Sequence, residues 1–264
     1  MQITYASVPA PQGGANEDRF RAGDGWALVL DGAGRYPGRT GGCVHPVTWV
    51  VEHLADHVSE QLNAAADKPL VEVVREAINL TMAEHGSACD LTDPLTPGAA
   101  LAVVRVQQAV IEWLVLGDCA VAVDRCSTDP LVVIDDRVDH LSGAPVTDAQ
   151  VRTYDPDFVA TVRNQPGGFW VAAATPGAAD QALTGEIDRA EARQVLLCSD
   201  GVTRLTERHN WTWSAMFAQA SQHGPSSLID AVREADATDP DPRRWRGKAH
   251  DDATAALIQL AGSV

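Results

Sequence analysis

The stretch Trp26-Ala27-Leu28-Val29-Leu30-Asp31-Gly32 is a continuous apolar run that stops abruptly at a carboxylate and a glycine. Five successive apolar side chains fit a strand covered on both faces, and Asp-Gly marks the turn that ends it. Downstream, Gly34 to Pro46 is a long loop rich in glycine, and Pro46 suits the first position of a helix. Val50, Leu54, His57, Val58 and Leu62 then recur at three-to-four spacing, and Leu70, Val73, Val74, Ala77, Ile78 and Thr81 repeat the pattern to about Glu84, so two amphipathic helices are expected. After the Pro/Gly-rich stretch 90–98 the period changes to that of strands. Ala99 to Val106 and Ala109 to Leu116 flank Gln107-Gln108 as a hairpin, followed by Ala120 to Asp124. Further strands are expected at Leu131 to Ile134, Phe169 to Ala173, Val195 to Cys198 and Ala253 to Leu260, with a helix near Trp213 to Gln222. Strands that follow one another directly favour antiparallel pairing, so the order predicts an α+β chain rather than alternating βαβ units. With no internal repeat and no clear linker, residues 1–264 read as a single domain.

The composition narrows the partners. At 45% hydrophobic and 21% charged residues the chain buries a core, and its formal net charge of −16 opposes phosphate backbones and anionic lipid. The dense basic cluster, Arg243, Arg244, Arg246 and Lys248, reads as a solvated loop. Nucleic acid and membrane are therefore not expected as partners. The N-terminus lacks a basic-then-apolar leader, and no apolar stretch approaches the ~18 residues of a membrane span. A cytoplasmic monomer is the expectation. Five cysteines (Cys43, Cys89, Cys119, Cys126 and Cys198) form an odd set without a Cys-x-x-Cys pair, which argues against both a disulfide framework and a tetrahedral zinc site. Of eight histidines, His53 and His57 have the i, i+4 spacing of a helical metal pair, but His57 lies on the apolar stripe and is more simply core. Cys119 beside Asp118 suggests a thiol nucleophile, yet no adjacent base is evident.

Carboxylates at strand ends carry the chemistry. They are Asp18 in Asn16-Glu17-Asp18, Asp31, Asp118 after Leu114-Val115-Leu116-Gly117, Asp200 after Leu196-Leu197-Cys198-Ser199, and Asp251-Asp252 before the last strand. Each alone is an ordinary turn signal. If the strands share a sheet or a sandwich, four or five carboxylates meet and repel by several kcal/mol unless a cation intervenes. Oxygen-only ligands select Mg²⁺ or Mn²⁺, and a bridging carboxylate holds a pair of ions about 3.5–4 Å apart.

These residues, in this order and together with Val29-Leu30-Asp31-Gly32-Ala33-Gly34, Asp139-His140, Leu197-Cys198-Ser199-Asp200-Gly201-Val202 and Asp251-Asp252-Ala253-Thr254, resemble the PP2C-type (PPM) metal-dependent serine/threonine protein phosphatases. The resemblance implies a four-layer αββα sandwich with a binuclear Mn²⁺ or Mg²⁺ site holding two or three ions. By the family pattern Asp31 would bridge two ions. The Gly32 carbonyl and the region of Glu17 and Asp18 would serve one, Asp200 and Asp251 the other, and Asp118 a third together with Asp200. Asp252, where many relatives have Asn, would support the ligands from behind. The implied reaction is in-line hydrolysis of a phosphomonoester by activated water without a phosphoenzyme, on a phosphorylated protein or a small phosphoester. Two departures accompany this. Gly13 stands where relatives commonly carry a phosphate-gripping arginine, and Gly34-Arg35-Tyr36 replaces Gly-Gly-His. Arg35 or Arg39 is then the candidate replacement for the charge, and Tyr36 or His45 for the proton donor. The segment Asn164 to Trp170 falls where the family has a flap, and Trp170 either lines a pocket or packs in the core. The alternative to an enzyme is a PP2C-like scaffold that binds without catalysis.

Overall fold

The computed structural model describes residues 1–34, 36, 38–141, 154–245 and 247–260. Its strands are β1 (Gln2–Val8), β2 (Arg19–Gly23), β3 (Trp26–Ala33), β4 (Gly98–Val106), β5 (Val110–Leu116), β6 (Ala120–Arg125), β7 (Leu131–Ile134), β8 (Leu183–Asp188), β9 (Ala192–Cys198) and β10 (Ala253–Gln259). The helices are α1 (Val47–Ala64), α2 (Leu70–Glu84), α3 (Pro156–Val162), α4 (Asp200–Glu207), α5 (Trp213–His223) and α6 (Ser226–Thr238). Two five-stranded sheets result, ordered β1-β10-β9-β6-β7 and β2-β3-β4-β5-β8, with antiparallel pairing throughout.

The two-sided burial expected of the opening stretch is what builds the layers. In β3, Trp26, Leu28 and Leu30 pack on α1 and α2, while Ala27 and Val29 face the second sheet. β4 repeats this: Ala99, Leu101 and Val103 turn to the helices, and Ala100, Ala102 and Val104 turn inward. In the other sheet Val121, Val195, Leu197, Ala256 and Ile258 complete the inter-sheet core, and Ala122, Leu196, Cys198, Ala255 and Leu257 pack on α4, α5 and α6. Helices, sheet, sheet and helices follow in that order, the αββα sandwich. The one cation of β4, Arg105, is buried and paired with Glu112 directly across on β5 at 2.6 Å.

Several elements depart from the sequence reading. The expected strand over Phe169 to Ala173 is reduced to two isolated bridges, Ala172 antiparallel to Ala99 and Phe169 parallel to Arg163. β5 ends at Leu116 opposite Leu101, so Ala172 takes up only the first turn of β4 left uncovered beyond it. β1 and β8 are sheet edges whose exposed, polar faces conceal a strand pattern, as in Gln2-Ile3-Thr4-Tyr5 and Leu183-Thr184-Gly185-Glu186. α4 starts inside Ser199-Asp200-Gly201, which reads locally as a turn. Trp170 is half-buried against the core beneath α1 and α2, the packing alternative of the two considered. His53 and His57 both turn Nε2 toward Glu84 of α2, at 3.7 and 3.3 Å. No helix of the described residues is long and apolar enough to cross a membrane.

Because Leu101 is fully buried where β4 meets the α1/α2 layer, Leu101→Ala is expected to lose about 2–5 kcal/mol in urea unfolding with an unchanged m-value. Leu183→Ala, on an exposed edge position, is expected to stay within about 0.5 kcal/mol of the parent. Equal losses in the two variants would contradict the layered packing.

Candidate functional site

The acidic strand ends meet at one end of the sandwich. Asp31 follows Ala27 and Val29 on the inward-facing side of β3 and sits opposite Ala100 of β4. Buried there, its carboxyl is held well above the ordinary value of 3.8, first by desolvation and then by repulsion from Asp200, Asp18, Asp251 and Asp118. Four of the carboxylates singled out in the sequence therefore act on the fifth, Asp31, across gaps of up to 220 residues in the chain, between Asp31 and Asp251. Burial lifts Asp18 from 3.8 to about 8 as well, opposed by hydrogen bonds from Ser199 and Thr254 and assisted by Asp200 and Asp252. Burial and Asp200 raise Asp251, against the nearby Lys248 and Arg204.

Local sequence explains the placement. Gly32 is required beside Asp31, because a Cβ there would lie 2.6 Å from Val47 Cγ1 and 2.9 Å from the Glu17 carbonyl oxygen. Gly201 is required after Asp200, because a Cβ would lie 1.9 Å from the Asp252 carbonyl oxygen. Ser199, between β9 and α4, donates its hydroxyl to Asp18 Oδ2 at 2.7 Å and accepts the Thr254 amide at 2.9 Å, so it links three segments. Asp252 accepts the main-chain amides of Ala10 at 2.8 Å and Glu17 at 2.7 Å, which fastens the segment before β2 against the start of β10. Asp251 is gripped by Arg204 Nη2 at 3.2 Å and Lys248 Nζ at 2.7 Å. Arg204, almost fully buried, also reaches Asp236 at 3.5 Å, and His209 Nε2 meets the same carboxylate at 2.9 Å. Lys248 thus belongs to the acidic cluster and not to a purely solvated basic loop, while Arg244 pairs with Asp239 and stacks on Trp245.

Two oxygens in the cluster, Asp18 Oδ1 and Asp200 Oδ1, are buried and have no hydrogen-bond partner among the described residues. A buried anionic oxygen left unpaired is costly, and its natural complement is a cation. The donors are all oxygens, so the residues fit a hard divalent ion such as Mn²⁺ or Mg²⁺.

Several of the other expected residues are already engaged elsewhere. Gly13 adopts a left-handed conformation, φ +85°, with open space where a side chain would project. Arg39 is ion-paired with Asp157 at the start of α3. Tyr36 is half-buried within electrostatic reach of the buried Arg163, and Arg35 lies outside the described residues. Asp139 and His140 sit on an exposed single turn, where His140 Nδ1 contacts the Asp136 carbonyl. Cys119 is fully buried and its thiol is held protonated by burial and by Asp31, which removes the nucleophile reading. His45 points elsewhere, into a group with Cys43, His85 and Cys89. That group brings together Cys-x-His and His-x-x-x-Cys pieces supplied by two loops, which a search for a Cys-x-x-Cys pair does not capture.

Fold and site together define a phosphatase-type αββα sandwich with an acidic end. The Protein phosphatase 2C family model matches residues 10–233, and the chain belongs to that family. No curated protein matches the sequence. Among solved structures, the PPM Ser-Thr phosphatase MsPP from Mycobacterium smegmatis, determined in complex with cacodylate, is 16% identical, with a TM-score of 0.58 and 99% of each chain covered. Stp1, a serine/threonine phosphatase from Staphylococcus aureus, is 13% identical with a TM-score of 0.62, covering 99% of this chain and 95% of that one. A Caenorhabditis elegans sex-determining protein has the same TM-score at 13% identity, and the match covers 99% of this chain and 65% of that one.

The raised carboxyls make a stability prediction for the protein kept in chelator. Below about pH 3, Asp18 and Asp31 are largely protonated folded or unfolded. As the pH rises toward 8 the unfolded chain ionises first, so the folded state loses stability across that window. Asp31→Asn removes one of the repelling charges and is expected to be more stable than the parent at pH 8 by about 2 kcal/mol, with the gap closing near pH 3. Thermal melts in EDTA across that range check it, and parallel curves would show that the carboxylates do not repel.

Proposed function

We propose that the protein is a Mn²⁺- or Mg²⁺-dependent phosphatase that hydrolyses phosphomonoesters, with phosphoserine and phosphothreonine proteins as the first substrate class and small phosphoesters as the second, acting as a cytoplasmic monomer. One observation carries this reading: carboxylates from five separate segments converge about Asp31, and two of their oxygens, on Asp18 and Asp200, are buried and lack any partner among the described residues. Divalent ions bound there would supply Lewis-acid charge, lowering the pKa of water and offsetting the phosphate's negative charge.

The chain's own residues have distinct tasks in this proposal. Asp31 would hold two ions, with Asp18 and the Gly32 carbonyl serving one, Asp200 and Asp251 the other, and Asp118 with Asp200 a third. Glu17 and Asp252 support them from behind, Asp252 through the two amides it binds. The Ser199 hydroxyl fixes one Asp18 oxygen, leaving the other free to bind. Arg204 and Lys248 orient Asp251 and temper the charge around it. Arg35 and Arg39 are the proposed phosphate contacts, Arg39 after leaving Asp157, and Tyr36 Oη the proposed proton donor to the departing oxygen.

A second reading, a metal-free scaffold that binds a partner, is favoured by the empty space at Gly13 and by the two cations already on Asp251. Calorimetric titration with Mn²⁺ and hydrolysis of an aryl phosphate separate the two. The enzyme reading expects Mn²⁺ binding at micromolar to millimolar levels and turnover that chelator abolishes. It expects a loss of roughly 10²-fold or more in kcat on Asp31→Asn. No binding and no turnover would leave the scaffold. Gly13→Arg gives a further check: at φ +85° it is expected to cost about 1–2 kcal/mol of stability, while lowering KM for a phosphopeptide several-fold.

A further inference from the structure

The Cys/His group lies outside the carboxylate cluster and uses a different chemistry. Cys43 and His45 come from the loop between β3 and α1. His85 caps the C-terminal end of α2, and Cys89 follows one short turn later, on the way to β4. One ligand atom from each residue falls within a sphere in which all lie 4.8 Å or less apart. Cys43 Sγ is 3.3 Å from Cys89 Sγ, 3.3 Å from His85 Nδ1 and 3.6 Å from His45 Nδ1, and Cys89 Sγ is 3.4 Å from His45 Nδ1.

Those spacings are four of the six edges of a small tetrahedron, the other two being no longer than 4.8 Å. With Zn–S near 2.3 Å and Zn–N near 2.0–2.1 Å, the donor-to-donor edges around a tetrahedral ion come to about 3.3–3.8 Å. The two sulfurs are far beyond the roughly 2.05 Å of a disulfide. A hydrogen-bonded set accounts for the group poorly, because one thiol proton on Cys43 cannot serve three close neighbours at once.

The surroundings are shaped to keep the donors together. The Asp90 amide donates to the Gly42 carbonyl at 2.7 Å, joining the residues next to both cysteines. Gly42, at φ +64°, permits this approach, since a Cβ there would lie 2.4 Å from the Asp90 carbonyl oxygen. The His45 amide points at Cys43 Sγ at 3.4 Å and the Val44 amide at Cys89 Sγ at 3.5 Å, which holds both sulfurs in position. Trp49 stacks on the His45 ring at 4.0 Å and meets His85 edge-on at 4.9 Å, which fixes both imidazoles.

We propose that Cys43, His45, His85 and Cys89 form a structural zinc site that clips the loop after β3 to the loop before β4. Two thiolates and two imidazoles balance and saturate a Zn²⁺ ion, leaving no open position for catalysis. They also discriminate against the hard ions that the carboxylates favour. The clip closes the same end of the β3–β4 pair at which Asp31 sits opposite Ala100, so its occupancy stiffens a wall of the acidic site. It does not depend on phosphatase activity.

The test is metal analysis of the full chain purified without chelator, followed by replacement with Co²⁺. About one zinc per chain is expected, and the cobalt protein should show the thiolate-to-metal charge-transfer band and tetrahedral d–d bands. No carboxylate site yields the first of these. Asp31→Asn and Cys126→Ser should keep both signals, whereas Cys43→Ser and Cys89→Ser should lose them. Should the serine variants fail to fold, a mercurial titration of the parent protein serves instead, with zinc release expected after about two thiols have reacted. A parent chain that holds no zinc and gives no thiolate–cobalt band overturns the proposal, as do bands that survive both serine substitutions.

Discussion

Repulsion among buried carboxylates is the constraint around which this end of the molecule is organised. Burial already disfavours the charged form of Asp31, and Asp200, Asp18, Asp251 and Asp118 in reach disfavour it further. The sandwich tolerates this because three apolar cores, one between the sheets and one beneath each helical layer, hold the strand ends in place whether or not the charges are neutralised. The cluster thus costs stability where it is assembled, and the cores on either side bear that cost. Ser199, Arg204, Lys248 and the amides on Asp252 relieve part of the strain, and each relieves it while orienting a particular carboxylate.

The fold was largely readable because its central strands are covered on both sides. Runs such as Trp26 to Leu30 and Ala99 to Val106 are too short for a buried helix and too apolar for a solvated strand, and α2 extends over the residues its periodicity indicates. What escaped lies at edges and at junctions. β1 and β8 have one solvated face, and the start of α4 coincides with a turn-like Ser-Asp-Gly. The Phe169 to Ala173 segment has strand composition, yet it pairs only through two isolated bridges, at Phe169 and Ala172.

The candidate site was legible in its acids and not in its partners. Carboxylates announce themselves after apolar runs, whereas the hydroxyl of Ser199 or the guanidinium of Arg204 acquires meaning only when β9, α4 and the start of β10 are adjacent. The Cys/His group shows the same limit more sharply. His85 and Cys89 are four residues apart and Cys43 and His45 two apart, but the pairs are separated by two helices, and no local spacing rule joins them. It took the α1–α2 hairpin to return the second pair to the first.

The position of β10 bears on how the molecule comes into being. It is the final strand in the chain order, yet it lies inside its sheet between β1 and β9 and brings Asp251 and Asp252 with it. On the ribosome, the sheet therefore stays split and the acidic end incomplete until β10 has been synthesised, with β1 waiting for a neighbour more than 240 residues away. Such long-range closure makes assembly late and slow. It also keeps a nascent chain from gathering the five carboxylates before the surrounding wall can contain them.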